Sequence, residues 1–264
     1  MDTGKQAQQT EGTAFDAQSM VEQVAETVLA RSPLPAMHCP DLASGYQFQR
    51  KLSAHINGGV SFDLKAGATS LAAQQQLGLS SPLLGSLYVR GKLHSGCEVV
   101  VTEGQELECE IAVVVDGNGS PVSLVPVVEV VYLKFSQAAD LSVVNAVAAN
   151  LGTDRFICGE PRPWDGSLSE IAITVVKDGD KVADISNDYS FGGPAAGVEW
   201  MINEARKWRL WGEGTDDRLL LLGTCGKAME ASSGEYRIDF GPLGEVTFSL
   251  RGDGRNQPTQ GIAQ

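Results

Sequence analysis

The sequence predicts an α+β protein on three observations. Apolar residues recur at helical spacing near the N-terminus, short β-type runs take over from Glu98 onward, and Gly/Asn/Asp clusters between those runs suit hairpins. In the first helix, residues 17–31, Ala17, Met20, Val21, Val24, Ala25, Val28 and Leu29 share a face behind Asp16, whose side chain suits an N-cap. A second helix is predicted over 42–55 and a short one over 69–77. Strands are expected at 98–102, 107–115, 124–135, 171–176 and 181–185. Asp116-Gly117-Asn118-Gly119 and Asp178-Gly179-Asp180 mark antiparallel turns within this set. A third long helix opens at Pro194, a residue suited to the first helical position, and runs to about 210 with Val198, Met201, Ile202 and Ala205 on one face. Closing strands are predicted at 219–224, 236–240 and 245–250. No Pro/Ser-rich or charged linker interrupts the pattern, so 16–250 reads as one domain, helical to about 95 and β-rich after it. Residues 1–15 and 251–264 are polar, with too little apolar surface to fold, and are expected to be disordered tails.

With 264 residues, 42% of them hydrophobic, the chain can bury a full core. Its 33 acidic and 20 basic residues leave a net charge of −13, which repels phosphate backbones and anionic lipid. Neither nucleic acid nor a membrane is therefore an expected partner. An anionic substrate would need a locally positive site made by a metal or by Lys and Arg. The five cysteines are widely spaced without a C-x-x-C pair, and residues 1–15 lack an apolar signal core, so a cytoplasmic protein is expected.

The stretch Leu107-Glu108-Cys109-Glu110-Ile111-Ala112 carries the strongest chemical signal. A strand sends alternate side chains to one face, which sets Glu108 and Glu110 side by side with Cα atoms roughly 7 Å apart, and Cys109 opposite them. Glu129 is a lone acid inside the apolar run 124–131. Buried carboxylates repel one another and lose hydration unless they are protonated, hydrogen-bonded or bound to a cation. Three acids without a supporting His or Cys cluster form an all-oxygen set, suited to Mg²⁺ or Mn²⁺ rather than Zn²⁺. The alternative is that they face water from half-buried strands or enter structural ion pairs. His38, His55 and His94 lack zinc spacing and form no triad with a marked serine, and no P-loop, G-x-S-x-G or dinucleotide fingerprint is present.

Glu108-Cys109-Glu110, followed by Glu129, resembles the E-x-E…E metal motif of the fumarylacetoacetate hydrolase superfamily, in particular its 2-oxopent-4-enoate hydratase and 2-oxo-3-hexenedioate decarboxylase family. Lys65-Ala66-Gly67-Ala68-Thr69-Ser70 is similar to that family's K-x-G-x-T-S, with Gln74 matching a nearby glutamine. Pro82 and Gly85 resemble its P-x-x-G, Asn150 its A-D-N, Gly193-Pro194 through Trp200 its G-x-P-x-x-A-x-x-W helix start, and 219–224 its strand ending in Gly-Ser or Gly-Thr. The resemblance spans roughly 46–250.

It implies a mixed β-sandwich or β-roll core of the fumarylacetoacetate hydrolase C-terminal type behind an N-terminal helical segment, a homo-oligomer, and Mg²⁺ or Mn²⁺ on Glu108, Glu110 and Glu129. The implied substrate is a small 2-oxo acid chelated through its carboxylate and oxo oxygens. The implied reaction is hydration or decarboxylation, with Lys65 as a proton shuttle or as a cation beside the developing oxyanion, although a lysine is as readily a surface ammonium. Gln74, Lys134, Asn150, Gly193 and Thr224 are candidates for substrate binding, and each has an ordinary reading as a loop, helix-start or surface group.

Three departures bear on the reaction. Leu83 stands where the hydratases usually carry an acid, Tyr132-Leu133-Lys134 replaces D-S-R, and Ala149 replaces the Asp before Asn150. Leu83 tilts the choice toward decarboxylation. Acylpyruvate C–C hydrolysis, and a metal-binding assembly subunit without turnover, remain as other readings.

Overall fold

The computed structural model describes residues 7–59, 63–166, 168, 171–186, 191–212 and 216–254. The helices are α1 (Ala7–Ala30), α2 (Leu42–Asn57), α3 (Leu71–Leu77), α4 (Val143–Ala148) and α5 (Pro194–Lys207). The early strands are β1 (Leu64–Gly67), β2 (Leu83–Ser86), β3 (Lys92–His94), β4 (Cys97–Val101), β5 (Glu106–Val115), β6 (Pro121–Val131), β7 (Thr153–Cys158) and β8 (Arg162–Pro163). The later ones are β9 (Ala172–Lys177), β10 (Asp180–Ser186), β11 (Arg218–Thr224), β12 (Met229–Glu230), β13 (Gly234–Asp239) and β14 (Glu245–Gly252).

Two mixed sheets result. The larger runs β2-β1-β11-β5-β6-β7-β3, with β12 beside β5 and β8 beside β6; the smaller runs β10-β9-β13-β14-β4. Most pairs are antiparallel, but β1–β11, β3–β7 and β14–β4 are parallel. Strand alternation divides the side chains of β5 between two cores. Cys109, Ile111 and Val113 join the large cluster that also holds Val175, Ile238, Phe248 and Leu250 of the second sheet. Ala112 joins Val125, Val127, Leu219 and Leu221 on the opposite face, which is the face that Glu108 and Glu110 share. The result is the sandwich-type α+β architecture that the sequence predicts.

The N-terminal helices form their own small core. Val24 and Ala25 of α1 pack with Leu52 of α2, Ala148 of α4 and Phe135. Asp41 caps α2 by accepting the Ser44 N–H at 2.8 Å, and Gly58 closes it in a left-handed conformation at φ 67°. Ser70 caps α3 in the same manner, which moves its start past Thr69.

Several boundaries depart from expectation. α1 begins at Ala7, so Asp16 lies inside the helix rather than at its cap, and residues 7–15 extend α1 instead of forming a tail. Ala7, Gln8, Gln9 and Glu11 are strong helix formers by type, which suits them to prolong a helix seeded by the packed Val24 turn. β14 reaches Gly252, two residues beyond the expected end, because its last residues pair with Val100 and Val101 of β4; the tail assigned to 255–264 lies outside the described residues. β6 stops at Val131, and Phe135 instead bridges to Leu34.

Candidate metal centre

The register of β5 against β6 builds the site. Glu108 sits directly opposite Glu129, Glu110 is two residues along on the same face, and the three acids bring ligand oxygens within 4.8 Å of one another. Glu110 and Glu129 are fully buried, whereas Glu108 is half-buried. Beyond β5, strand β11 carries a bulge: Leu221 pairs with Ala112 but Thr224 pairs with Glu110, so three residues of one strand span two of the other. Gly223, inside that bulge at φ 96°, donates its N–H to Glu110 Oε2 at 3.1 Å. A β-carbon there would lie 2.5 Å from the Thr69 side chain, so only glycine fits between the bulge and the loop after β1.

β1 delivers the cation. Lys65 is buried and its Nζ donates to both Glu129 oxygens, at 2.8 and 2.9 Å, and to the Leu151 carbonyl at 3.2 Å. Gly85, paired with Lys65 across β1–β2, leaves room for its stem, because a β-carbon at Gly85 would stand 3.1 Å from Lys65 Cγ.

Burial dominates the electrostatics. It raises the Glu108 carboxyl against the pull of Lys65, and it raises Glu129 to about 7 against the same pull. Burial, then Glu129 and Glu108, push Glu110 well above the ordinary carboxylate range. For Lys65, burial acts to lower its pKa, but Glu129, Glu108 and Glu110 together outweigh it and leave the ammonium held above its usual value. With all four groups ionised the cluster sums to two negative charges, three carboxylates against one ammonium.

Two further groups test the fit of a cation. Glu110 Oε1 and Thr224 Oγ1 are both buried and have no hydrogen-bond partner among the described residues. An orphaned carboxylate oxygen in an interior is costly, and a hydroxyl aligned beside it shares that cost. A hard, oxygen-only donor set with a double negative charge suits a divalent ion such as Mg²⁺ or Mn²⁺.

The other expected residues divide. Thr224 joins the cluster through its pairing with Glu110. Asn150 is buried, but its amide faces β2: Oδ1 accepts from Ser86 N at 2.8 Å and Nδ2 donates to Ser86 O at 2.6 Å. Each polar end of the amide thereby has a backbone partner. Asn150 and Leu151 are both left-handed, φ 55° and 52°, and this turn aims the Leu151 carbonyl at Lys65. Gln74 is buried on α3 and donates to Thr69 O at 3.3 Å, bracing the same loop. Gly193, at φ 134°, is the residue before α5, and its carbonyl accepts the Gly197 N–H as in any helix start. Lys134 is exposed beyond β6, and no hydrogen bond or ion pair links its ammonium to the acids. Leu151, Ser86 and Gly223 act through their backbones, which no side-chain motif announces.

Leu83, Tyr132 and Ala149 are all buried. Leu83 is buried in β2 opposite Gly67. Tyr132 and Ala149 pack beside Val28 and Leu34, near the doubly bonded ion pair of Arg31 with Asp154. Helix α1 and the segment after it thus pack against two of the three positions, Tyr132 and Ala149.

No family model matches the sequence, and no curated protein matches it. Solved structures do share the fold. 4-Oxalocrotonate decarboxylase from Pseudomonas putida G7, complexed with magnesium and adipate, superposes with a TM-score of 0.77 at 18% identity, over 90% of this chain and 98% of that one. The same enzyme complexed with calcium and acetate gives 0.75 at 19% identity over the same shares. Fumarylpyruvate hydrolase from Pseudomonas aeruginosa, in complex with Mn²⁺ and pyruvate, gives 0.52 at 14% identity over 73% of this chain and 90% of that one. The chain therefore has the α+β fold of these metal-bound proteins along most of its length.

Proposed function

We propose that the protein is a divergent member of the fumarylacetoacetate hydrolase superfamily, a divalent-metal-dependent lyase that decarboxylates a small 2-oxo acid. The observation that carries this reading is the buried cluster of Glu108, Glu110, Glu129 and Lys65, whose two uncompensated charges and orphaned Glu110 oxygen call for a divalent cation. Its support from outside is the decarboxylase that shares the fold over 90% of the chain.

Glu108, Glu110 and Glu129 would hold Mg²⁺ or Mn²⁺. When bound, the ion supplies Lewis-acid stabilisation for negative charge developing on the substrate's 2-oxo oxygen. The residues of the chain do the remaining work. Glu108 is the least buried of the three acids, and Glu110 and Glu129 are fully buried. Loss of CO₂ breaks a C–C bond and leaves its electron pair on the substrate, and a proton must return to carbon. With the three acids holding an ion, Lys65 Nζ is the group in the cluster that would keep a proton to give, and Leu151 O and Glu129 fix its direction. Proton donation falls to it. Leu83 places no acid at the neighbouring strand, and His38, His55 and His94 do not join the acids, so a base that would activate water for hydration or hydrolysis is missing among the described residues. The same absence ranks decarboxylation above both.

The test is CO₂ release, followed together with the ultraviolet absorbance of 2-hydroxydienoic acids, for a panel of 2-oxo acids with and without Mg²⁺. Metal-dependent CO₂ release that Lys65→Met abolishes, with metal binding retained, is the expected result. Consumption of substrate without CO₂ would assign hydration or hydrolysis, and no turnover on any acid would leave a binding subunit.

A further inference from the structure

Away from the acid cluster, the end of α5 meets one stripe of α2 around a cavity of about 240 Å³. Ala43, Tyr46, Gln47 and Arg50 supply the α2 side at i, i+3, i+4 and i+7 spacing. Lys207, Trp208 and Arg209 supply the other. The lining holds three cations and no acid, on a chain whose net charge is −13.

The cations are presented in two ways. Lys207 is pinned, its Nζ 2.8 Å from Glu204 Oε1 and 4.6 Å from the centre of the Trp208 ring. The guanidinium groups of Arg50 and Arg209 make no hydrogen bond or ion pair among the described residues, which leaves two forks able to take a ligand. The wall between them is rigid. Tyr46 and Trp208 stack with centroids 4.2 Å apart, Trp208 Nε1 is anchored on Glu204, and the Tyr46 hydroxyl accepts the Leu84 N–H at 3.0 Å. A helix end complements its own dipole with Arg206 and Lys207 and has no need of Arg50 or of Arg209, which lies beyond the last turn. Planar guanidinium pairs beside a fixed ammonium match phosphate and carboxylate oxygens.

We infer that this cavity is a second ligand site, for a small polyanion carrying phosphate or several carboxylate groups. It shares no residue with the acid cluster. Through Tyr46 and Gln49, which grip the backbone of Leu84, the wall is tied to β2, and β2 pairs with the strand that bears Lys65.

The experiment is a titration of the metal-free protein with inorganic pyrophosphate and, separately, with citrate, read by tryptophan emission and by calorimetry. Saturable binding of one or both is expected, with Arg50→Gln/Arg209→Gln weakening it by about tenfold or more. Trp208→Phe should remove the emission change while calorimetry still records binding. The stronger of the two anions names the source, phosphate or carboxylate. Absence of saturation, unchanged affinity in the double variant, or a change of oligomeric state in that variant by light scattering overturns the assignment, the last by making the patch a subunit contact. None of these results touches the proposed reaction, which CO₂ release tests separately.

Discussion

Replacing Glu110 by glutamine separates a ligand from a structural acid. The substitution keeps the shape and the oxygen that accepts the Gly223 N–H, but removes one charge. In the native cluster that charge faces two carboxylates whose nearest oxygens lie no more than 4.8 Å away, each opposing it by about 3.5 kcal/mol at an effective dielectric constant of ~20. Lys65 returns part of this, and protonation of Glu110 limits the rest, since its carboxyl already titrates well above the ordinary range. A weakened bond to Gly223 subtracts roughly 1 kcal/mol more. Without metal, Glu110→Gln should therefore be more stable than wild type by about 2 kcal/mol. Guanidinium denaturation followed by tryptophan emission, in EDTA and in Mn²⁺, reads both sides of the argument. Wild type should gain about 2.7 kcal/mol at a metal concentration of ~100 Kd, and the variant almost nothing. A variant that is less stable in EDTA, yet gains as much from Mn²⁺ as wild type, would refute the reasoning.

Two other outcomes follow from the same geometry. The metal-free protein should lose stability as pH rises from about 4.5 toward 7. Glu129 titrates at about 7 when folded, above its unfolded value, so across that window the folded state binds more protons than the unfolded state and stability falls with pH; a flat or rising profile in EDTA would contradict the site. Asn150→Ala removes both amide bonds to Ser86, 2.8 and 2.6 Å, and should cost about 2–4 kcal/mol in denaturation midpoints. If Asn150 acts by aiming Leu151 at Lys65, kcat falls while KM holds, and Asn150→Asp, which keeps only the acceptor for Ser86 N, recovers part of it.

Long-period patterns made most of the fold legible. The helices at 42–55 and from Pro194, and the strand pair carrying the acids, follow from spacing that local chemistry enforces, such as the Asp41 and Ser70 caps. What escaped has a different origin. β1, β2 and β3 are three or four residues long, too short for periodicity to register, and β1 and β3 exist because they add parallel to β11 and β7, which are distant in sequence. The upstream part of α1 escaped because it has helix-forming side chains without an apolar stripe, so the signal used to find helices was absent while the propensity was not.

The site shows the same division between side chains and backbone. Strand alternation alone set Glu108 beside Glu110 and turned Cys109 away, but the pairing of Glu108 with Glu129 needed the β5–β6 register, which a single strand does not contain. Asn150 was legible as a site residue, but its bonds to Ser86 were not. A polar side chain near a motif lysine suggests a substrate contact in the sequence, which does not show that its two amide ends bond the backbone of Ser86. The groups that finish the site, the Leu151 carbonyl and the Gly223 N–H, are presented by a left-handed turn and a bulge. A leucine carries no motif for that duty, and the glycine's conformation has meaning only once Thr69 is seen packed against it. The three acids were therefore readable because their burial is chemically abnormal, and Lys65 through the motif it resembles, whereas the scaffold that orients them is built from backbone geometry to which side-chain patterns are blind.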